Sequence, residues 1–292
     1  MHTRAAFCLA VACVALAAFA LAATAQERVA FLSSDTDLTA GAPTRLEGLL
    51  LRPSGDGPFS AVVLMHGCGG LHRPDGRLIK QYQAWAEGLR EDGYLVLLVD
   101  SFGPRGIRQI CTVKARTVRP GRERTRDAYG ALRYLQGRPD VVAENVGLLG
   151  WSNGGSTVLW TLDPDNRGRP AALPNGDYRV AVAFYPGCRA LLQRDGWLPS
   201  PPLLILIGEL DDWTPAEPCR DLVDLANARG AGTDIVVYPD AHHGFDAPDL
   251  PIRIRRNIAT TLSGTATVGT HPTARADALE QVALFLAEHL RP

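Results

Sequence analysis

An apolar strand that runs directly into a Gly-x-Ser-x-Gly turn is the feature that most constrains the fold of this chain. Residues 146–149 are apolar apart from a glycine, residues 150–154 read G-W-S-N-G, and a stretch of helical composition follows. A serine at such a strand-to-helix corner is held clear of the sheet, where a base and backbone amides can reach it. The segment therefore predicts a nucleophile elbow with Ser152 as nucleophile. A chance match in a glycine-rich turn is the alternative.

Candidate acid and base residues follow Ser152 in the chain order that such a nucleophile requires. Two apolar runs predict strands, and each run is followed by a pair of suitable side chains. The candidates for the acid are Asp211 and Asp212, after the strand at 202–208, and those for the base are His242 and His243, after the strand at 234–238. The histidine takes the serine proton and later protonates the leaving group, while the aspartate fixes the histidine tautomer. The pattern alone leaves the choice within each pair open.

Backbone amides for an oxyanion site are expected from two places, the residue after the nucleophile and a loop after an earlier strand. Asn153 supplies the first amide. The apolar strand at 61–65 is followed by H-G-C-G-G at 66–70, which resembles the H-G-G-G type loop of esterases and lipases. We expect His66 itself to be hydrogen-bonded inside this turn rather than catalytic.

Taken together, five motifs make the chain similar to the dienelactone hydrolases of the α/β-hydrolase superfamily, over roughly residues 46–290. The motifs are V-L-M-H-G-C-G-G at 63–70, G-W-S-N-G-G at 150–155, A-F-Y-P-G-C at 183–188, G-E-L-D-D-W-T-P at 208–215 and Y-P-D-A-H-H-G-F at 238–245. The resemblance implies Asp211 as the acid, through the pattern G-x-x-D-x-x-x-P, and His243 as the base, through H-x-F. It also implies the amide of Cys68 as the second oxyanion donor. The namesake enzymes carry a cysteine nucleophile and a nearby glutamate, where this chain has Ser152 and Gly67, so we expect ordinary ester hydrolysis.

Strands and helices alternate along the rest of the chain, which predicts an α/β-hydrolase fold with a mostly parallel, doubly wound sheet flanked by helices. Further strands are expected at 94–100 and 180–184, and helices near 78–90, 123–136, 216–228 and 279–290. The helix at 123–136 presents one apolar stripe, formed by Ala128, Ala131, Leu132 and Leu135. Residues 26–292 are expected to form a single domain. Residues 252–274 lack periodicity, and we expect a surface excursion there with Arg253, Arg255 and Arg256 solvated.

The first 25 residues predict a secretory signal peptide. Arg4 precedes an apolar run at 5–23, and A-T-A at 23–25 is a small-residue cleavage site before Gln26. An uncleaved membrane anchor is the alternative, because the run approaches the roughly 20 residues that span a bilayer. We expect a secreted or periplasmic protein with no stable membrane anchor after cleavage.

Four cysteines remain after that cleavage, in a compartment that permits disulfides. Cys68, Cys111, Cys188 and Cys219 allow three full pairings, and one bridge is expected with its partners open. Paired metal-ligand spacings are lacking, so we expect no metal and no cofactor. With 30 basic and 31 acidic residues the net charge is −1, which argues against nucleic acid as a partner and favours a small neutral substrate.

Substrate-lining side chains are expected on loops at the carboxyl ends of the strands. The candidates are Phe102, Arg105, Trp151, Tyr185 and Trp213, with packing against neighbouring loops as the alternative for each. The predicted function is hydrolysis of small carboxylic esters through an acyl-enzyme on Ser152. A peptidase or acyltransferase with the same triad, or a noncatalytic binding protein on a hydrolase scaffold, is the alternative.

Overall fold

An eight-stranded sheet forms the centre of the described chain, residues 26–194 and 196–290 of a computed structural model. Its strands are β1 Gln26–Leu32, β2 Arg45–Leu51, β3 Phe59–Met65, β4 Leu95–Asp100, β5 Val141–Trp151, β6 Val180–Phe184, β7 Leu203–Gly208 and β8 Thr233–Tyr238. The spatial order is β1-β2-β4-β3-β5-β6-β7-β8. Strand β2 runs antiparallel to β1 and β4, and all other neighbours are parallel. The predicted mostly parallel, doubly wound sheet is therefore confirmed, with β1 and β2 added at one edge. The predicted signal peptide, residues 1–25, lies outside the described residues.

Six α-helices connect or flank these strands in the described chain. They are α1 Lys80–Glu91, α2 Thr125–Gln136, α3 Asn153–Thr161, α4 Arg189–Leu192, α5 Glu217–Asn227 and α6 Pro272–His289. The predicted apolar stripe of α2 is fully buried, and this helix packs on β1, β3, β4 and β5. Helix α6 begins seven residues before the predicted start. His271 accepts a hydrogen bond from the amide of Ala274 there, and Pro272 occupies the first turn, where proline is tolerated.

Residues 252–274 differ from the expected irregular excursion. They contain an antiparallel hairpin of β9 Arg253–Arg256 and β10 Thr265–Val268, which we call the β9–β10 hairpin. Val268 forms a bridge with His243, and the side chain of Asp212 accepts hydrogen bonds from the amide and hydroxyl of Thr267. The segment was misjudged because each strand has only four residues and β9 is exposed throughout, so apolar alternation is absent. Its three basic residues are exposed, as expected.

Two disulfides are present where one was expected. Cys68–Cys111 joins the H-G-C-G-G loop to the loop after β4, and Cys188–Cys219 joins the loop after β6 to helix α5. Both bridges therefore brace loops at the carboxyl edge of the sheet. No helix in the described part of the chain is long and apolar enough to cross a membrane.

Candidate active site

Ser152 occupies the sharp turn between β5 and α3, with backbone angles of φ 54° and ψ −114°. A left-handed φ is rare for a residue with a side chain, so the turn is strained. The residues two positions before and two positions after it must be glycines, because backbone atoms approach closely there. A Cβ at position 154 would lie 1.9 Å from the carbonyl oxygen of Met65, and one at position 150 would lie 2.4 Å from that of Gly154. The strained turn lifts the Ser152 side chain off the end of the strand.

The structure brings Asp211 and His243 to Ser152. The Ser152 hydroxyl lies 2.9 Å from His243 Nε2, and His243 Nδ1 lies 2.8 Å from Asp211 Oδ2. A carboxylate only accepts hydrogen bonds, so Nδ1 carries the proton and Nε2 is free to accept from the serine. The neighbouring candidates point elsewhere. His242 donates to the carbonyl of Leu210 at 3.1 Å, and Asp212 holds the β9–β10 hairpin.

Thr214 is a site residue that the sequence analysis missed. Asp211 Oδ1 accepts hydrogen bonds from the amides of Trp213 and Thr214, at 2.9 and 2.8 Å. The Thr214 hydroxyl lies within 3.1 Å of both Asp211 Oδ2 and His243 Nδ1, and 3.0 Å from the carbonyl of Tyr185. The turn thus fixes the rotation of the buried carboxylate. An aspartate followed three residues later by threonine after a buried strand is the signal that indicates such a turn.

The backbone around Cys68 and Asn153 lies beside Ser152, and all three residues line one cavity. Asn153 is the first residue of α3, so its amide has no acceptor within the helix. Its side-chain oxygen accepts a hydrogen bond from Arg124, which also donates to the carbonyl of His66, both at 2.7 Å. Burial lowers the pKa of Arg124 to about 10, so it remains charged near neutral pH. The sequence analysis did not single out Arg124. Its two hydrogen bonds join the turn after β5 to the H-G-C-G-G loop after β3.

His66 is buried beneath the loop rather than facing Ser152. Its Nδ1 donates to the Gly67 carbonyl at 2.7 Å, and its Nε2 accepts from the amide of Ser101 at 3.2 Å. Burial lowers its pKa to about 3, so the ring is neutral at physiological pH. Both ring nitrogens are used in holding loops together.

A second buried carboxylate, Asp246, lies close to the site, and no basic side chain in the described part of the chain forms an ion pair with it. Its oxygens accept hydrogen bonds from the side chains of Gln81, Trp85, Trp151 and Tyr185, at distances of 2.7–2.9 Å. We call these five residues the Asp246 cluster. Tyr185 packs on the His243 ring with centroids 4.5 Å apart, and its carbonyl accepts from Thr214. Through Tyr185, the Asp246 cluster therefore supports both the His243 ring and the loop that carries it.

Two cavities meet at Ser152. The large cavity has a volume of about 720 Å³, and the small cavity about 250 Å³; both are lined by Cys68, Ser152 and Trp213. The small cavity lies against His243. The β9–β10 hairpin contributes to both cavities, since residues 260–263 line the large one and Val268 the small one. This segment, expected to be a surface excursion, is thus part of the wall of the site.

Three of the five predicted pocket residues line these cavities. Trp213 lines both, while Trp151 and Tyr185 line the small one. Phe102 and Arg105 line neither cavity within the described residues. Phe102 is packed between His66 and Arg124. Arg105 forms a bidentate ion pair with Asp127 and a further pair with Asp35, so its guanidinium group is fully engaged. Within residues 26–194 and 196–290, no group of three or more histidine, cysteine or acidic residues is placed to hold a metal ion.

The sheet order, the elbow and the chain order of the three residues are those of an α/β hydrolase, which is the fold of the chain. The family model of the dienelactone hydrolases matches residues 46–290, and the chain belongs to that family of hydrolases. A curated relative from Bradyrhizobium sp, "Probable 2-oxo-3-(5-oxofuran-2-ylidene)propanoate lactonase", is 24% identical over 222 residues, 72% of this chain and 82% of the relative.

Solved structures share the same fold at low sequence identity. A dienelactone hydrolase-like promiscuous phosphotriesterase from metagenomic libraries superimposes with a TM-score of 0.64 and 18% identity, over 91% of this chain and 100% of that one. A thermophilic esterase of Thermogutta terrifontis with propionate bound has a TM-score of 0.62 and 19% identity, over 91% and 96% of the two chains.

Proposed function

We propose that the protein is a serine hydrolase that cleaves carboxylic esters of small molecules through an acyl-enzyme on Ser152. The observation that carries the proposal is the continuous hydrogen-bonded path from Ser152 through His243 to Asp211, with contacts of 2.9 and 2.8 Å. A serine hydroxyl is a weak nucleophile unless a base takes its proton as it attacks. The tautomer of His243 leaves Nε2 available for that proton.

In the proposed mechanism, Ser152 Oγ attacks the ester carbonyl while its proton moves to His243 Nε2. Asp211 stabilises the imidazolium that forms. The developing oxyanion accepts hydrogen bonds from the amides of Cys68 and Asn153, each such donor being worth about 3 kcal/mol of barrier. His243 then protonates the departing alkoxide. Water, activated by the same histidine, hydrolyses the acyl-enzyme and restores Ser152.

Relatives support ester chemistry of this kind. One curated relative is named a lactonase, and a lactone is a cyclic ester. A solved relative of similar fold is an esterase that holds propionate, a short-chain carboxylic acid. The serine in place of the namesake cysteine fits hydrolysis by a Ser-His-Asp triad, which needs no second carboxylate near the nucleophile.

We also propose that the protein acts outside the cytoplasm, after removal of residues 1–25. Two disulfides in one chain fit an oxidising compartment such as the periplasm or the extracellular medium. Cell fractionation with a C-terminal tag tests this, together with N-terminal sequencing of the exported form. We expect a mature protein that begins at Gln26, and retention in the cytoplasm at full length contradicts it.

The catalytic proposal is tested by hydrolysis of short-chain nitrophenyl esters, with matching amides measured in parallel. Ser152→Ala and His243→Ala should each lower kcat by about 10⁶-fold, since the two residues act as a unit. His242→Ala is the matched control, since its ring contacts a backbone carbonyl instead of the serine. Turnover above about a thousandth of the wild-type rate in purified Ser152→Ala contradicts the proposal. Faster cleavage of amides than of esters favours a peptidase.

A further inference from the structure

Four arginines line the two cavities beside Ser152. Arg116 and Arg189 line the large cavity, and Arg253 and Arg255 line the small one. Among the residues that the structure describes, none of the four has a carboxylate within ion-pair distance. Arg105, by contrast, is held by two aspartates. The positive charge at the cavities is therefore available to a ligand.

Arginines outnumber acidic side chains in the described lining of both cavities, although the buried Asp246 lies behind the small one, where it is bonded to Gln81, Trp151 and Tyr185. The described lining of the small cavity contains no aspartate or glutamate, and that of the large cavity contains Asp212 alone. Asp212 accepts two hydrogen bonds from the neutral groups of Thr267 and keeps its negative charge, so the large cavity carries two arginines against one carboxylate. The described lining of the two cavities thus carries more arginines than carboxylates on a chain whose net charge is −1. A cleft lined by one sign of charge concentrates ligands of the opposite sign. The neutral substrate favoured by whole-chain charge does not match this local distribution.

Two of the four arginines, Arg255 and Arg116, have contacts that hold them in place. The Arg255 guanidinium lies 5.5 Å from the centre of the Trp213 ring, and that ring packs on His243 with centroids 4.7 Å apart. Arg253 and Arg255 are alternate residues of β9, so their side chains leave the strand on one side and repel each other. In the other cavity, Arg116 Nε donates to the Val113 carbonyl at 3.2 Å, on the loop braced by the Cys68–Cys111 disulfide. An anion bound between Arg253 and Arg255 relieves their repulsion, and an anion in either cavity gains charge-assisted hydrogen bonds from arginine.

We infer that the substrate is an ester with a carboxylate on each side of the bond that is cleaved. This inference rests on the proposed function, because it assumes that the ester carbonyl sits at Ser152. The acyl and alcohol parts of an ester leave the carbonyl in different directions, and the two cavities meet at Ser152. One carboxylate then binds Arg116 and Arg189, and the other binds Arg253 and Arg255. The aromatic walls of the large cavity, Trp160 and Trp213, fit the bulkier part.

Four matched esters test the inference. They combine a butanoyl or a succinyl acyl group with phenol or 4-hydroxybenzoate as the alcohol, so that each charge is added separately to the same skeleton. Rates are corrected for spontaneous hydrolysis. We expect kcat/KM to rise about five- to tenfold with each carboxylate, as for partly exposed charge-assisted contacts. The gain should shrink between 0.1 and 1 M salt, where the screening length falls from about 10 Å to about 3 Å.

Variants assign each carboxylate to a cavity. Arg116→Gln/Arg189→Gln should remove the preference for one of the two carboxylates, and Arg253→Gln/Arg255→Gln the preference for the other. Arg256→Gln is the control, because Arg256 is an exposed residue of the same strand that lines neither cavity. Each result is expressed as the ratio of charged to uncharged ester, which is insensitive to the amount of folded enzyme.

The outcomes separate this inference from the proposed function. Hydrolysis of phenyl butanoate that depends on Ser152, with no gain from either carboxylate, overturns the inference and leaves the esterase standing. A gain from one carboxylate alone overturns the two-subsite assignment. If none of the four esters is cleaved and Ser152 does not react with a fluorophosphonate, the proposed function is rejected, and this inference with it.

Discussion

Replacing Asp211 with asparagine keeps the shape of the site and reverses one hydrogen bond. Asp211 Oδ1 accepts from the amides of Trp213 and Thr214, so the asparagine oxygen must occupy that position. The new amide group then faces His243 Nδ1 at the 2.8 Å contact and donates to it. The histidine proton moves to Nε2, where it points at Ser152 and cannot accept the serine proton.

The expected loss in kcat is about 10⁴-fold, or about 5.4 kcal/mol of barrier, which is the cost of the wrong tautomer in a serine triad. Ester hydrolysis is followed with a chromogenic substrate, and the melting temperature is recorded to show that the fold is kept. Asp212→Asn is the matched control. Its exposed side chain contacts Thr267 rather than the histidine, so we expect a loss below about fivefold. Equal losses in the two variants, or Asp211→Asn with more than about a tenth of wild-type turnover, refute the reasoning.

Three further predictions concern groups around the site. Burial lowers the pKa of His66 to about 3, against about 6.5 in an unfolded chain, so the unfolded state binds more protons between these values. The free energy of unfolding should therefore fall as pH drops from about 6.5 towards 3, by at most about 1.4 kcal/mol per pH unit from this residue. In denaturant titrations at several pH values, the unfolding free energy of His66→Asn should depend less steeply on pH than that of the wild type. An equal dependence on pH in the two proteins contradicts this. Asp246→Asn should lower kcat by up to about 10²-fold with little change in KM, because the His243 loop loses its brace, and a change confined to KM points to substrate binding instead. The Cys188–Cys219 bridge closes a loop of 31 residues, so the double variant Cys188→Ala/Cys219→Ala should lose about 3–4 kcal/mol of unfolding free energy. Urea titrations measure this loss, and an unchanged unfolding midpoint contradicts the prediction.

Sequence patterns predicted the centre of the fold because its strands are buried on both faces. Strands β4 and β7 are apolar runs that end in Asp100 and Gly208, and all their residues are buried, a pattern that turns and helices do not share. The edge strand β1 was missed, since only Val29 and Phe31 of its seven residues are buried. The β9–β10 hairpin was missed for a related reason, because exposed short strands carry no periodic apolar signal.

The nucleophile was predicted from local sequence because the backbone requirement is local. Gly150 and Gly154 are needed where strand and helix approach, and they flank Ser152 in any chain with this turn. The cationic lining was not predictable in the same way. Arg105 and Arg255 look alike in sequence, yet one is bound by Asp127, 22 residues away, and the other faces a cavity. Tertiary contacts decide which arginine is paired with a carboxylate. The net charge of the whole chain counts paired and unpaired arginines alike, so it does not reveal the unpaired ones.

The central claim, that Ser152 is the nucleophile of an ester hydrolase, is tested most directly by labelling the mature protein with a fluorophosphonate and mapping the modified peptide by mass spectrometry. The account predicts one adduct per chain, on Ser152, with loss of esterase activity in proportion to labelling, and no adduct in Ser152→Ala. An adduct on another residue such as Ser156, or esterase activity that persists in fully labelled protein, contradicts it.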